Sequence, residues 1–254
     1  MKIYIYTIPK AGTYFLAAVL EKMGFRNTGW HVNRNNRLNT KTLSVEQNAT
    51  HPSTAMQDVN FFETLRDIKE NEFAFGHFPV PLMAWTFRNF NFLCAYRHPR
   101  KTLVSEFIDF RFRRNDVQWA SKGMITDDQE AFLIYMRRHA HIQAEIFSSM
   151  LAVRLLVKDG DLFGFPAAKF CFVNFDRLLA NPDELRPIAQ CLNVDRRVDF
   201  VGLHADTLAI ETKTKATGLH IDREKFWTSE SESEYEAQNF DRTVARMREA
   251  GLDL

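Results

Sequence analysis

The feature that most constrains the fold is the opening stretch, MKIYIYTIPKAGTYFLAAVLEKMGF, in which an apolar strand runs through Pro-Lys-Ala-Gly-Thr straight into an amphipathic helix. Residues 2–7 alternate Ile and Tyr, a β-rich run; Phe15, Leu16, Val19, Leu20 and Met23 then recur at helical spacing until Gly24 ends the pattern. A strand that turns through a glycine into a helix gathers unpaired backbone N–H groups and the positive end of the helix dipole at one point, which suits an anion. Lys10 adds a full charge there, Gly12 permits close backbone approach, and Thr13 offers a hydroxyl and a helix cap. On these residues alone two readings stand: a loop that holds a phosphate-like group, and an ordinary β–α turn whose lysine points to water. The loop is not a Walker A motif, because GxxxxGK[ST] is absent.

The alternation continues downstream. Short apolar runs at 73–77 and at 90–96 (FNFLCAY) are stopped by Pro79 and by Arg97-His98-Pro99, and both have the character of strands buried in a parallel sheet. Helical patterns cover about 101–113 and 127–150. A further strand, KFCFVNF at 169–175, leads to Asn181-Pro182, a cap and first helical residue that open a helix to about Cys191. Such alternation predicts an α/β fold, a parallel sheet covered by helices on both faces, in one domain spanning 1–254. Residues 27–57, polar and rich in Asn and Thr without a clear period, are expected to form a long surface loop. The acidic, serine-rich run at 229–234 is expected to be a solvated helix start.

Composition limits the partners. Lys+Arg of 33 against Asp+Glu of 32 leaves a net charge of +1, with no basic face for nucleic acid, so any anion site must be local. Cys94, Cys171 and Cys191 lie far apart with no CxxC pair, against a zinc or disulfide framework; with no export signal and no apolar run long enough for a bilayer, the expectation is a cytoplasmic protein without metal or membrane.

Four segments, in order, resemble the sulfotransferases that use 3'-phosphoadenosine-5'-phosphosulfate (PAPS). PKAGTYF is similar to the PKSGTTW loop that cradles the 5'-phosphosulfate. AYRHPRKTLVSEF resembles the second nucleotide signature, an arginine at a strand end and a serine eight positions on, here Arg97 and Ser105. Between them FGHFP is similar to KTHLP, whose histidine is the catalytic base, here His77. NFDRLLANPDELRPIAQCL resembles the YEDLLxNP segment and its helix. The resemblance implies a P-loop-NTPase-like sheet of the sulfotransferase type, and sulfuryl transfer from PAPS to a hydroxyl or amine of a small-molecule acceptor, releasing adenosine 3',5'-bisphosphate. Lys10 with the N–H groups of Ala11, Gly12 and Thr13 would meet the charge developing on the leaving phosphate. Thr13 and Tyr14 would bond the 5'-phosphate, Arg97 and Ser105 the 3'-phosphate, and His77, at an ordinary pKa of about 6.5, would take the acceptor's proton.

The chain also departs from the pattern. Phe75 stands where the family often has a lysine, a cation that His31 or a lysine of the 27–57 stretch could supply. Phe15 matches the adenine-stacking tryptophan, and Phe175 a tyrosine. ATGLHIDREKFWT can be laid against RKGxxGDWxxxFT: Gly218 matches, but Ala216 and Thr217 fall at the arginine and lysine, with Lys213 and Lys215 nearby. Acceptor walls are expected from 27–57, 79–88 and 111–126, and Trp30, Phe78, Trp85 and Trp119 line a pocket or join the core. Arg111, Arg113 and Arg114 attract an anionic acceptor or form a solvated helix end. Two other readings stay open, a small-molecule or nucleotide kinase and a catalytically silent nucleotide-binding protein. Acceptor identity and oligomeric state are open as well.

Overall fold

The computed structural model describes residues 1–33, 36–77, 90–114, 123–158, 161–162, 165–194, 198–210 and 221–254. The elements run β1 (Lys2–Thr7), α1 (Thr13–Lys22), β2 (Arg26–Asn33), β3 (Asn36–Asn39), α2 (Val45–Thr50), β4 (Met56–Asp58), α3 (Phe61–Asp67), β5 (Glu72–Gly76), β6 (Phe90–Tyr96), α4 (Pro99–Phe112), α5 (Asp128–Leu156), β7 (Val157–Lys158), β8 (Asp161–Leu162), β9 (Phe165–Asn174), α6 (Phe175–Ala180), α7 (Leu185–Cys191), α8 (Phe200–Ala209), α9 (Ser229–Ala237) and α10 (Phe240–Glu249). Among the described residues they form one sheet of nine strands in the order β4-β3-β2-β5-β1-β6-β9-β8-β7. The five central strands, β2, β5, β1, β6 and β9, are parallel, and antiparallel ribbons extend both edges.

The period of two in β1 and β6 divides their side chains between two cores. Tyr4, Tyr6, Phe92 and Cys94 point to one face, against Phe107, Phe132, Tyr135 and Phe147 of α4 and α5. Ile3, Ile5, Leu93 and Ala95 point to the other, against Leu16, Val19 and Leu20 of α1 and Ile188 of α7. Helices therefore cover both faces, as an α/β fold requires.

The 27–57 stretch corrects the expected loop. Much of it is strand, because the edge ribbon β2–β3–β4 is held by backbone and polar side-chain hydrogen bonds rather than by apolar burial, so it carries no hydrophobic period. Its Asn and Thr residues serve the irregular register of β2: Thr28 Oγ1 donates to Phe73 O at 2.9 Å, Thr40 Oγ1 to Gly29 O at 2.7 Å, and the Gly29 N–H to Asn27 Oδ1 at 2.8 Å. The acidic run does open a helix: Thr228 caps α9 in a capping box with Ser231, although Ser231 and Tyr235 turn inward. Asn181 caps a single 3₁₀ turn, Pro182–Glu184, before α7 begins. Gly218, Lys213, Lys215, Ala216, Thr217, Phe78, Trp85 and Trp119 lie outside the described residues. Among the described residues, no helix is long and apolar enough to cross a membrane.

The carboxyl ends of β1, β5 and β6 lie side by side, where open α/β sheets bind ligands. Gly76, the last residue of β5, sits so close to β2 that a Cβ there would lie 2.1 Å from Val32 O and 2.8 Å from Val32 N. Backbone cannot yield as a side chain does, so Gly76→Ala should cost about 2–3 kcal/mol in urea denaturation, through overpacking.

Candidate active site

The site begins at Thr7, the last residue of β1. Its Oγ1 lies 2.6 Å from Thr13 Oγ1, at the first turn of α1, and its carbonyl lies 2.9 Å from His77 Nδ1, just beyond β5. A carbonyl can only accept, so Nδ1 carries the hydrogen and Nε2 is left with its lone pair, the form a general base needs. Thr7 Oγ1 is also 3.1 Å from Nδ1, and the His77 N–H donates to Val32 O at 3.1 Å. The histidine is thus fixed by side chain and backbone to two neighbouring strands.

Between β1 and α1 the chain makes two left-handed steps, at Lys10 (φ 67) and Gly12 (φ 87). Glycine adopts that conformation freely and lysine only at a cost, a strain of the kind kept at functional sites. Gly12 is itself the N-cap of α1, no side chain caps that helix, and its first-turn N–H groups have no intrahelical acceptor. Thr13 is the first helical residue rather than the cap, its hydroxyl engaged with Thr7. The Ala11 N–H donates to Ile8 O at 3.0 Å, so it is already paired within the loop.

Lys10 Nζ lies 3.1 Å from Asp109 Oδ1 on α4, with the two side chains only 19% and 10% exposed. Arg113 grips the same carboxylate from the other side, Nε to Oδ1 at 2.5 Å and Nη2 to Oδ2 at 2.6 Å. Burial pushes the Asp109 carboxyl up, but Lys10 and Arg113 outweigh it and hold it well below the usual carboxylate range. Ser105, four residues earlier and buried, shares the face of α4 that carries Asp109. One residue on, Glu106 accepts from Tyr135 Oη at 2.7 Å and Gln143 Nε2 at 2.6 Å, and burial raises its carboxyl.

Arg97 follows β6. Its Nε donates to Asp176 Oδ1 at 2.8 Å, and its guanidinium lies 5.6 Å from the centroid of the Phe175 ring. Phe175 also meets Phe15 edge-on at 5.9 Å and blocks the space over Gly12, where a Cβ would come within 2.2 Å of the ring. Phe15 is buried in the core against Phe175 and His204 and shows no open face for a base. Tyr14 packs on Phe75 at 5.7 Å and His31 at 6.3 Å; burial pushes its hydroxyl up to about 12, with Arg113 opposing and Asp109 adding.

Of the residues expected to replace the lysine at Phe75, His31 pairs with Phe75 across β2 and β5, and its ring centroid is 4.8 Å from that of His77. The basic cluster at the end of α4 is engaged within the fold. Arg111 is buried with Nη2 2.9 Å from Asp128 Oδ1, Arg113 holds Asp109, and Arg114 lies over Phe110 at 5.1 Å. Trp30 carries Arg37 over its ring at 4.2 Å. Sequence reasoning missed Thr7, Asp109 and Asp176. Only Asp109 left a signal, one helical turn beyond Ser105.

No protein-family model matches the chain, and no curated protein matches it in sequence. In three dimensions it is similar to mouse sulfotransferase SULT7A1, solved as a crystal structure complexed with PAP, with a TM-score of 0.60 and 15% identity over 98% of this chain and 88% of that one. The chain therefore has the α/β fold of a sulfotransferase, a parallel-dominated sheet flanked by helices.

The expected ordinary pKa of His77 needs correction. Burial pushes it down to about 4; the Thr7 carbonyl pulls it upward, and the nearby Lys10 charge adds a smaller depression. An unfolded histidine titrates at about 6.5, so between about 6.5 and 4 the unfolded chain takes up a proton that the folded chain refuses. Stability is whole above that window and falls as the pH drops through it, by up to about 1.4 kcal/mol per pH unit. Urea unfolding from pH 7 to 4.5 should show that loss in the wild type and a flatter profile in His77→Asn.

Proposed function

We propose that this chain transfers a sulfuryl group from PAPS to a hydroxyl or amine of a small-molecule acceptor. The observation that carries the reading is the joining of His77 to the Lys10 loop through Thr7: a neutral imidazole with a bare Nε2 stands beside a strained, uncapped helix start that bears a lysine. The SULT7A1 likeness supports it at the level of the fold.

PAPS, when bound, supplies an activated sulfuryl group whose departing phosphate gains negative charge. On this reading the N–H groups of Gly12 and Thr13 and the Lys10 ammonium bind the 5' end and stabilise that charge, Ala11 shaping the loop from within. Lys10 must first give up Asp109, which keeps Arg113 as its partner and so is not left as an unpaired buried carboxylate. His77 removes the acceptor's proton through Nε2. Its low pKa keeps it unprotonated across the neutral range, and an anion beside Lys10 offsets the charge that pushes it down. Arg97 and Ser105 hold the ribose 3'-phosphate, with Gly218 in the segment that closes over it. Phe15 and Phe175 serve as packing beneath the nucleotide rather than as stacking faces.

The test uses labelled PAPS with a panel of phenols, alkyl alcohols and amines, without added metal, together with calorimetric titration of adenosine 3',5'-bisphosphate. His77→Ala should cut transfer by about 10²- to 10⁴-fold and leave bisphosphate affinity within a few-fold, whereas Lys10→Ala should weaken both. A wild type that binds no bisphosphate, or that prefers ATP with magnesium, overturns the reading.

A further inference from the structure

His77 stands between the ends of two strands. The order β2-β5-β1 puts it, just past the end of β5, with β1 on one side and β2 on the other. From β1, the Thr7 carbonyl takes the Nδ1 hydrogen at 2.9 Å. From β2, the His31 ring meets the His77 ring edge to face, with centroids 4.8 Å apart and planes at 73°. His31 is backed in turn by Phe75 at 5.4 Å and by Tyr14 of α1 at 6.3 Å, so its ring is boxed in by two others besides the imidazole it touches.

An irregularity in β2 brings His31 to that place. Four steps along β2, from Asn27 to His31, are matched against two along β5, from Phe73 to Phe75. A regular ladder would set Gly29 opposite Phe75, with no side chain to offer; the bulge sets His31 there instead. The groups it takes out of the ladder are bonded again. Gly29 adopts φ 83, which suits glycine, the Trp30 N–H donates to Thr28 Oγ1 at 3.2 Å, and the Thr40 N–H donates to Gly29 O at 2.8 Å. Bulges of this kind re-aim a side chain beside an active site.

The tautomer gives the ring contact a use. A base acting through Nε2 needs that nitrogen bare and aimed at the acceptor, and so needs the Nδ1 hydrogen to stay on the Thr7 carbonyl. One hydrogen bond lets the imidazole tilt about it, and a tilt moves Nε2. A ring packed on the opposite side removes the tilt. We propose that His31 is a positioning residue for His77: delivered by the β2 bulge, its ring clamps the imidazole against Thr7 and fixes both the tautomer and the aim of Nε2. The role belongs to the ring and not to a charge. Its consequence for transfer rests on the reading under Proposed function; its consequence for the tautomer does not.

The full chain is compared as wild type, His31→Phe and His31→Leu, with melting temperatures recorded alongside. Nitrogen NMR of the histidine rings, assigned through His77→Asn, reads the tautomer. At neutral pH the wild type and His31→Phe should show His77 protonated at Nδ1 and bare at Nε2, and His31→Leu a mixture of the two tautomers. In transfer from PAPS, His31→Leu should lose about ten- to a hundred-fold in kcat with the KM of donor and acceptor within a few-fold, and His31→Phe should retain most of the activity. If His31→Leu does not fold, His31→Gln, which also lacks the ring, takes its place with the same expectations. A single Nδ1-protonated form in the variant without the ring overturns the inference. So does an equal loss in His31→Phe, which assigns the role to the His31 nitrogens, or a rise in acceptor KM in place of the fall in kcat, which makes His31 an acceptor contact. A wild type that transfers to no acceptor defeats the sulfotransferase reading, while the tautomer result still decides the clamp.

Discussion

The candidate site depends on the interactions gathered at Thr7. One residue at the end of the central strand uses its hydroxyl to hold the start of α1 and its carbonyl to hold the imidazole of His77. Neither would be in reach without the parallel register of β1 against β5, which pairs Tyr6 with Gly76 and so brings the two strand ends level. The close approach of β5 to β2 at Gly76 and Val32 then closes the wall on the far side and carries His31 to His77. Sheet geometry, rather than any flexible side chain, sets the distance between the lysine loop and the base.

The electrostatics follow from the same crowding. Lys10, Asp109 and Arg113 make a compact, poorly hydrated triad in which the carboxylate is shared. Its attraction in a low-dielectric setting offsets the desolvation of each member only because both cations contribute. His77 is half-buried and lies close enough to feel the ammonium, and both effects hold its pKa down and keep it neutral.

Much of this was legible in the sequence. The period of two in β1 and the helical spacing of α1 gave the first unit and its loop, and the apolar runs of β5, β6 and β9 gave the parallel core, since strands buried on both faces must be apolar throughout. The edge ribbon was not legible, because its strands are stabilised by hydrogen bonds that Asn and Thr make as well as any residue, and these leave no hydrophobic rhythm. Among site residues, Lys10, Gly12 and His77 were marked by motif. Their partners Thr7, Asp109 and Asp176 were not, because an acid or hydroxyl that serves another side chain across 79 residues, as Asp176 does for Arg97, carries no local pattern. The depressed pKa of His77 is likewise a property of burial, which only the fold supplies.

The Phe175 ring has a mechanical consequence. It is wedged with one part over Gly12 and another beneath the Arg97 guanidinium, and it opens α6 directly after β9. A benzene ring is incompressible on the scale of these contacts, so it acts as a gauge block between the glycine loop and the arginine. Neither end can shift inward alone.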